Sequence, residues 1–241
     1  MLIKSTGIMD ENFSLGIKEL DAYIGRIKKG SNILLMGHPM GGKEIILHNI
    51  MYHGAAINNN AVISVTTRQS ANNIIEWFKE SNLILPMSRI GIVDCVTKTL
   101  GSDTIENGSI KIASSPGDLT SIGVRISEFS EEFYMKKNIK NHQLHINSLS
   151  TILMYSNTQI VFRFLHVFTR RIKETGAIGI YDIDSGMHDE QTIATLKQLC
   201  DGLIEVKYEN DRNFIRIVGF SALPSPWFEY EIEKERIKIV K

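Results

Sequence analysis

The sequence predicts an α/β domain, with a mostly parallel central sheet flanked by helices and antiparallel strands added at the C-terminal edge. Three observations predict it. Short apolar runs alternate with segments of helical periodicity between residues 32 and 199, the pattern of strand–helix–strand units in a parallel sheet. The first run ends in Gly37-His38-Pro39-Met40-Gly41-Gly42-Lys43-Glu44, which places G-x-x-x-x-G-K between a strand and a helix. After Cys200 the alternation stops, and short β runs follow one another to the end.

Residues 1–30 read as a polar lead-in with one amphipathic piece, Leu15–Ile24. Asn32–Met36 is a continuous apolar run, as expected of a strand buried on both faces. Residues 42–57 have helical spacing through Ile45, Ile46, Ile50 and Met51. Ala61–Thr66 is the second strand, and Ser70 caps a helix running to about Glu80. Ile90–Val96 is the third strand. Residues 97–117 are rich in Gly, Ser and Thr and predict a long loop with one hairpin turn. Ser115 or Asp118 opens a helix carrying Ile122, Ile126, Phe129 and Phe133. Gln143–Asn147 is the fourth strand, residues 157–174 a helix, Ala177–Tyr181 the fifth strand and Glu190–Leu199 the last helix. In residues 201–241, the runs at Gly202–Lys207, Phe214–Gly219, Trp227–Ile232 and Ile237–Val240 predict antiparallel hairpins.

A chain of 241 residues with this pattern is expected to form one domain over residues 1–241. Its 27 basic and 27 acidic residues cancel, which removes any global electrostatic case for nucleic acid as a partner. Cys95 and Cys200 have no metal-binding spacing and read as thiols in a reducing compartment. No signal-type run occupies Met1–Gly16, and no stretch reaches the roughly 18 apolar residues of a membrane span. The expectation is a cytoplasmic protein with no membrane span.

The loop carries the chemistry. In G-x-x-x-x-G-K-[ST], backbone amides and the lysine hold phosphates, and the final hydroxyl binds Mg²⁺. Gly37, His38, Pro39, Met40, Gly41, Gly42, Lys43, Glu44 and Ile45 are therefore the candidate cofactor-binding residues, with ATP or ADP as the ligand class. Glu44 stands where the hydroxyl belongs. Its carboxylate suits the helix dipole when the loop is empty and repels a polyphosphate when it is full. Two readings of the loop stay open, a nucleotide site and a tight turn whose glycines serve geometry alone.

Other clusters have simpler readings. Asp182, Asp184, His188, Asp189 and Glu190 fit no specific metal-ligand set, and His188-Asp189-Glu190 reads as a turn leading into a helix. Arg163, Arg170, Arg171 and Lys173 form one basic helix face, and Lys136, Lys137 and Lys140 end another helix. Both read as solvated faces. Phe162, Phe164 and Phe168 read as core or interface.

Residues 12–208 resemble the RecA-superfamily ATPases of the KaiC and RadA type, in particular a divergent group of single-domain archaeal KaiC-like proteins. The resemblance rests on Leu15–Asp21 with Gly25 and Gly30, on Gly37–Lys43 and on Asn147-Ser148-Leu149-Ser150. Ser115–Thr120, Phe162–His166 and His188–Thr192 narrow it to the archaeal group. It implies a RecA-like P-loop NTPase fold and assembly with a protein partner or as a homo-oligomer. It also implies three matched positions that this chain has changed. Glu44 replaces the Mg²⁺ hydroxyl, Asn147 replaces the strand-end carboxylate, and Thr67, Arg68 and Gln69 replace the glutamates that activate water. Catalytic and metal residues are accordingly not assigned, and Mg²⁺ binding is not expected. The function implied is that of a degenerate KaiC-like nucleotide-binding protein with little hydrolysis, acting as a regulatory or scaffolding subunit. The alternatives are an active ATPase with Mg²⁺ held by Glu44 and Asp94 or Asp182, and a DNA-binding recombinase paralogue.

Overall fold

The computed structural model describes residues 12–25, 27–99, 101 and 106–240. The reading of Met1–Glu11 lies outside them. The chain begins with β1 (Asn12–Phe13), α1 (Lys18–Ile24) and β2 (Ile27–Lys28), where β1 and β2 pair antiparallel. It continues through β3 (Asn32–Gly37), α2 (Lys43–Tyr52), β4 (Ala61–Thr66), α3 (Ala71–Glu80), β5 (Ile90–Asp94) and β6 (Ile110–Ile112). Next come α4 (Leu119–Glu131), β7 (His142–Asn147), α5 (Leu149–Tyr155), α6 (Thr158–Thr175), β8 (Ile178–Asp184) and α7 (Glu190–Lys197). Four strands close the chain: β9 (Gly202–Glu209), β10 (Arg212–Val218), β11 (Phe228–Glu233) and β12 (Arg236–Ile239). Among the described residues no helix is long and apolar enough to cross a membrane.

Ten strands form one sheet in the order β12-β11-β10-β9-β3-β8-β7-β4-β5-β6. From β9 to β6 the pairing is parallel, and β10, β11 and β12 add antiparallel to β9. The expected mostly parallel sheet with an antiparallel C-terminal edge is therefore what forms. The central strands β4, β5 and β8 are buried at every residue. That is why they read as predominantly apolar runs, with helices covering both faces.

Side-chain chemistry fixes the helix starts. Ser70, Asp118, Asn157 and Asp189 each accept a hydrogen bond from a backbone amide three residues on, which caps α3, α4, α6 and α7. Asp189 as a cap confirms the turn-and-helix reading of His188-Asp189-Glu190. One core lies between the sheet and α4, α5 and α6, centred on Phe129, Leu144, Ile152 and Leu165. The opposite face holds α1 and α2 over Ile33, Leu35 and Ile180, and α3 over Val62 and Ile92. Gly91 in β5 is needed because the Phe129 ring lies on it. A methyl there would sit 2.7 Å from that ring.

The structure corrects three expectations. The loop at 97–117 contains β6, which pairs parallel with β5. Residues 149–155 form α5, a helix not expected from the sequence. The fifth strand continues past Tyr181 to Asp184, in register with β3 up to Gly37↔Asp184. Two aspartates thereby lie inside a fully buried strand. Such burial is tolerated only where the charges are paired, and the partner is the lysine of the glycine loop.

Candidate functional site

The glycine loop joins β3 to α2 at the C-terminal ends of the parallel strands, where open α/β sheets place their ligand crevices. Gly41 N–H donates to the His38 carbonyl at 3.1 Å. Met40 has φ +62° and its side chain is fully exposed at the apex. Gly42 caps α2 in the left-handed region at φ +72°, a conformation that favours glycine. Gly37 has a packing reason: a Cβ there would meet the Val206 carbonyl at 2.8 Å and the Lys43 stem at 3.1 Å. Glu44 and Ile45 follow in the first turn of α2, and the C-terminal extension closes over the loop. Tyr230, buried on β11, donates from its hydroxyl to the Gly41 carbonyl at 3.0 Å. Ile232 comes within 3.2 Å of where a Gly42 side chain would begin.

Lys43 is buried, 4% exposed. Its ammonium group donates to Asp182 Oδ1 at 2.7 Å, to Asp184 Oδ1 at 2.7 Å and to the Ile183 carbonyl at 2.8 Å. A lysine ammonium has three protons, so every one of them is engaged within the protein. Asp184 takes a second cation on its other oxygen, from the Arg68 guanidinium. The Asp184 backbone is held by Ser150, whose hydroxyl accepts the Asp184 N–H at 2.8 Å and contacts His188 Nε2 at 2.9 Å. Burial pushes the Asp182 carboxyl above its ordinary range and Asp184 adds to this, against the pull of Lys43 and Arg68.

Of the positions that replace the expected catalytic groups, Thr67 and Asn147 are buried, Gln69 is half-buried and Arg68 and Glu44 are exposed. Thr67 is buried; its hydroxyl donates to the Asn147 carbonyl at 3.1 Å and accepts the Ser148 N–H at 2.8 Å. Arg68 is on Asp184, and Gln69 Nε2 donates to Glu44 Oε1. Loss of hydration raises the Glu44 carboxyl, the Arg68 charge and the Asn147 amide lower it, and Asp182 raises it. Glu44 is nevertheless exposed overall, so water screens much of this balance.

With all five groups ionised, Lys43 and Arg68 supply two positive charges against three negative ones from Glu44, Asp182 and Asp184. The sum is one net negative charge where a phosphate cradle needs a free cation. Among the described residues no group of three or more His, Cys, Asp or Glu side chains is placed to hold a metal ion. Asp94, expected as a Mg²⁺ ligand in the rearranged-ATPase reading, has another task. Its carboxylate accepts from the amides of Ala71, Val96 and Thr97 and from the Thr97 hydroxyl, all between 2.7 and 2.9 Å.

The candidate residues Gly37 to Ile45 thus run from the end of β3 through the loop into the first turn of α2, with Glu44 beside Gln69. Sequence reasoning missed the pairing of Lys43 with the β8 aspartates and the contact from Tyr230. The acidic pair in Tyr181-Asp182-Ile183-Asp184 was a usable signal, because buried acids on a strand require a buried cation. Nothing near Tyr230 in the sequence marked its partner.

A family model described as a family of unknown function, DUF7504, matches residues 30–206. No curated protein matches the chain. Among solved structures, a KaiC-like protein, PH0186, from the hyperthermophilic archaeon Pyrococcus horikoshii aligns with a TM-score of 0.70 at 16% identity, covering 95% of this chain and 99% of that one. An uncharacterized protein from the same organism, PH0321, solved in complex with an unknown peptide, aligns with a TM-score of 0.73 at 17% identity, covering 94% and 98%. At these identities the likeness establishes the fold, which is KaiC-like.

Proposed function

Because the chain belongs to the family of unknown function DUF7504, its role has to be read from its own site, and we propose that it is a degenerate nucleotide-binding protein of the single-domain archaeal KaiC-like kind. It takes up ATP or ADP weakly or not at all, hydrolyses neither usefully, and acts in the cytoplasm as a regulatory or scaffolding subunit. The observation that carries this reading is the saturation of Lys43 by Asp182, Asp184 and the Ile183 carbonyl.

The magnitudes support weak binding. To reach a phosphate, Lys43 has to release at least one buried carboxylate. Leaving such a charge uncompensated costs about 3–5 kcal/mol. A millimolar ligand binds with only about 4.1 kcal/mol, and each 1.4 kcal/mol is tenfold in affinity. Repositioning the lysine therefore lowers nucleotide affinity by roughly two to three and a half powers of ten relative to a cradle with a free lysine. Hydrolysis further requires a positioned water and neutralised charge, and Thr67, Arg68 and Gln69 include no general base. The free thiols of Cys95 and Cys200 suit the reducing compartment.

Steady-state phosphate release at millimolar Mg-ATP tests the proposal. The expected result is turnover no greater than that of a Lys43→Ala variant. Turnover that is present in the wild type and vanishes in Lys43→Ala refutes it.

A further inference from the structure

α4 and α6 lie side by side on one face of the sheet. Arg171 Nη1 joins them by donating to Ser127 Oγ at 2.9 Å, with its guanidinium over the Phe168 ring at 5.3 Å. Below that contact the helices part over an apolar cavity of about 310 Å³, floored by Ile63, Ile126, Leu144, Phe168 and Ile172. The cavity also reaches His142, at the start of β7, and Thr175, at the end of α6. It therefore opens at the end of the sheet opposite the glycine loop.

The mouth has an unusual composition for a solvated surface. The turn that follows α4 presents Tyr134 and Met135 there, and Met135 is 71% exposed. Val124 on α4 and Val167 on α6 extend the exposed apolar face by about a turn. An apolar patch rimmed by polar groups marks an interaction surface. Arg171 and Glu131 flank the mouth. Among the described residues neither has a salt-bridge partner, as is also true of Arg163 on α6 and of Lys136 beside Met135, whereas Arg125, Glu128, Glu132, Arg170 and Lys173 do. The hydroxyls at the mouth are satisfied within the helices: Ser127 donates to the Gly123 carbonyl, Ser130 to Ile126 and Thr175 to Arg171.

We propose that this face is a two-fold interface between two copies of the chain. Met135 of each copy enters the cavity of the other, and Arg171 of each pairs with Glu131 of the other. The patch is self-complementary, carrying an apolar socket, an apolar plug and one side chain of each charge that lacks an ion-pair partner among the described residues. That combination suits a two-fold contact, in which residue i meets residue j and j meets i. A flexible thioether suits an irregular apolar gap. An anionic small molecule would answer Arg171 and leave Glu131 and Met135 unexplained. The interface is independent of the nucleotide reading, since it lies at the other end of the sheet.

Sedimentation of the full chain from low to high micromolar concentration tests it, with circular dichroism melting to confirm that each variant folds. The wild type is expected to pass from 27.2 kDa to twice that mass. Arg171→Glu and Glu131→Arg each set like charges against one another across the axis, and each raises the dissociation constant by about tenfold or more. Combining the two swaps restores the pairing and the affinity. Met135→Asp weakens the dimer without touching the charge pair, so the proposal stays testable if a charge variant misfolds. A chain that is monomeric throughout, a dimer indifferent to all of these variants, or a double swap no better than the single ones overturns it.

Discussion

Replacing Lys43 with Met removes a buried charge while keeping much of the side chain's apolar stem. In a phosphate loop whose lysine waits for a ligand, this change would barely touch the stability of the empty protein. Here it strips the cation from two carboxylates that are 4% and 1% exposed. Arg68 still faces Asp184, so Asp182 is the group left alone. Removing one partner of a buried pair costs about 3–5 kcal/mol. Asp182 limits the loss by taking up a proton. At pH 7 that step costs about 4 kcal/mol for a carboxyl with an ordinary pKa near 3.9. The expected loss is therefore about 3–4 kcal/mol, or on the order of 10 °C in melting temperature for a domain of this size. The penalty also has a pH signature. The folded-state pKa of Asp182 lies above its unfolded value, so the variant keeps its stability below the unfolded pKa and loses it as pH rises. The loss grows by up to about 1.4 kcal/mol per pH unit above the unfolded pKa, for as long as Asp182 stays protonated in the folded state. Adding Asp182→Asn to the variant recovers most of the stability. Urea unfolding with a constant m-value is the assay. A loss below about 1 kcal/mol at pH 7, or one that does not vary with pH, refutes the claim that Lys43 is a structural counter-ion.

Two further outcomes follow from other parts of the molecule. Burial lowers His48 to about 4 and His145 to about 3, so both are neutral in the folded state while the unfolded chain binds protons near pH 6.5. Stability should therefore be full above about pH 6.5 and fall as the pH drops toward 4, with His48 alone accounting for roughly 3 kcal/mol; a melting temperature that stays flat from pH 7 to 4.5 would contradict this. Tyr230→Phe deletes the hydroxyl that holds the Gly41 carbonyl, so unfolding free energy should fall by about 1 kcal/mol. Amide exchange at Gly41–Lys43 should quicken in that variant, and unchanged exchange would show that the hairpin does not brace the loop.

The fold was legible because its layers follow from periodicity. Val62-Ile63-Ser64-Val65 and Ile90-Gly91-Ile92-Val93 are apolar on both faces, and only a covered parallel sheet accommodates that. The motifs that pointed to a KaiC-like fold lie on the elements expected of them. The α5 helix was hidden because it occupies Leu149–Tyr155, immediately after a strand, and is only seven residues long. β6 was hidden by its brevity and by the glycines and serines around it. At the site, the sequence marked Lys43 as the retained loop lysine and Glu44, Asn147, Thr67, Arg68 and Gln69 as departures, with no means of pairing them. Lys43 and Asp184 are 141 residues apart, and only the parallel register of β3 against β8 brings them together. The altered positions read separately as lost functions. In space, Arg68, Lys43, Asp182 and Asp184 form one cluster of two cations and two carboxylates.

Calorimetric titration of the wild type and of an Asp182→Asn/Asp184→Asn variant with Mg-ATP measures the central claim most directly. If Lys43 is held internally, the wild type gives no saturable heat up to millimolar nucleotide, and the variant, with its lysine released, binds at least about tenfold more tightly. Micromolar binding by the wild type that is lost in Lys43→Ala and not improved by the two asparagines would contradict the account.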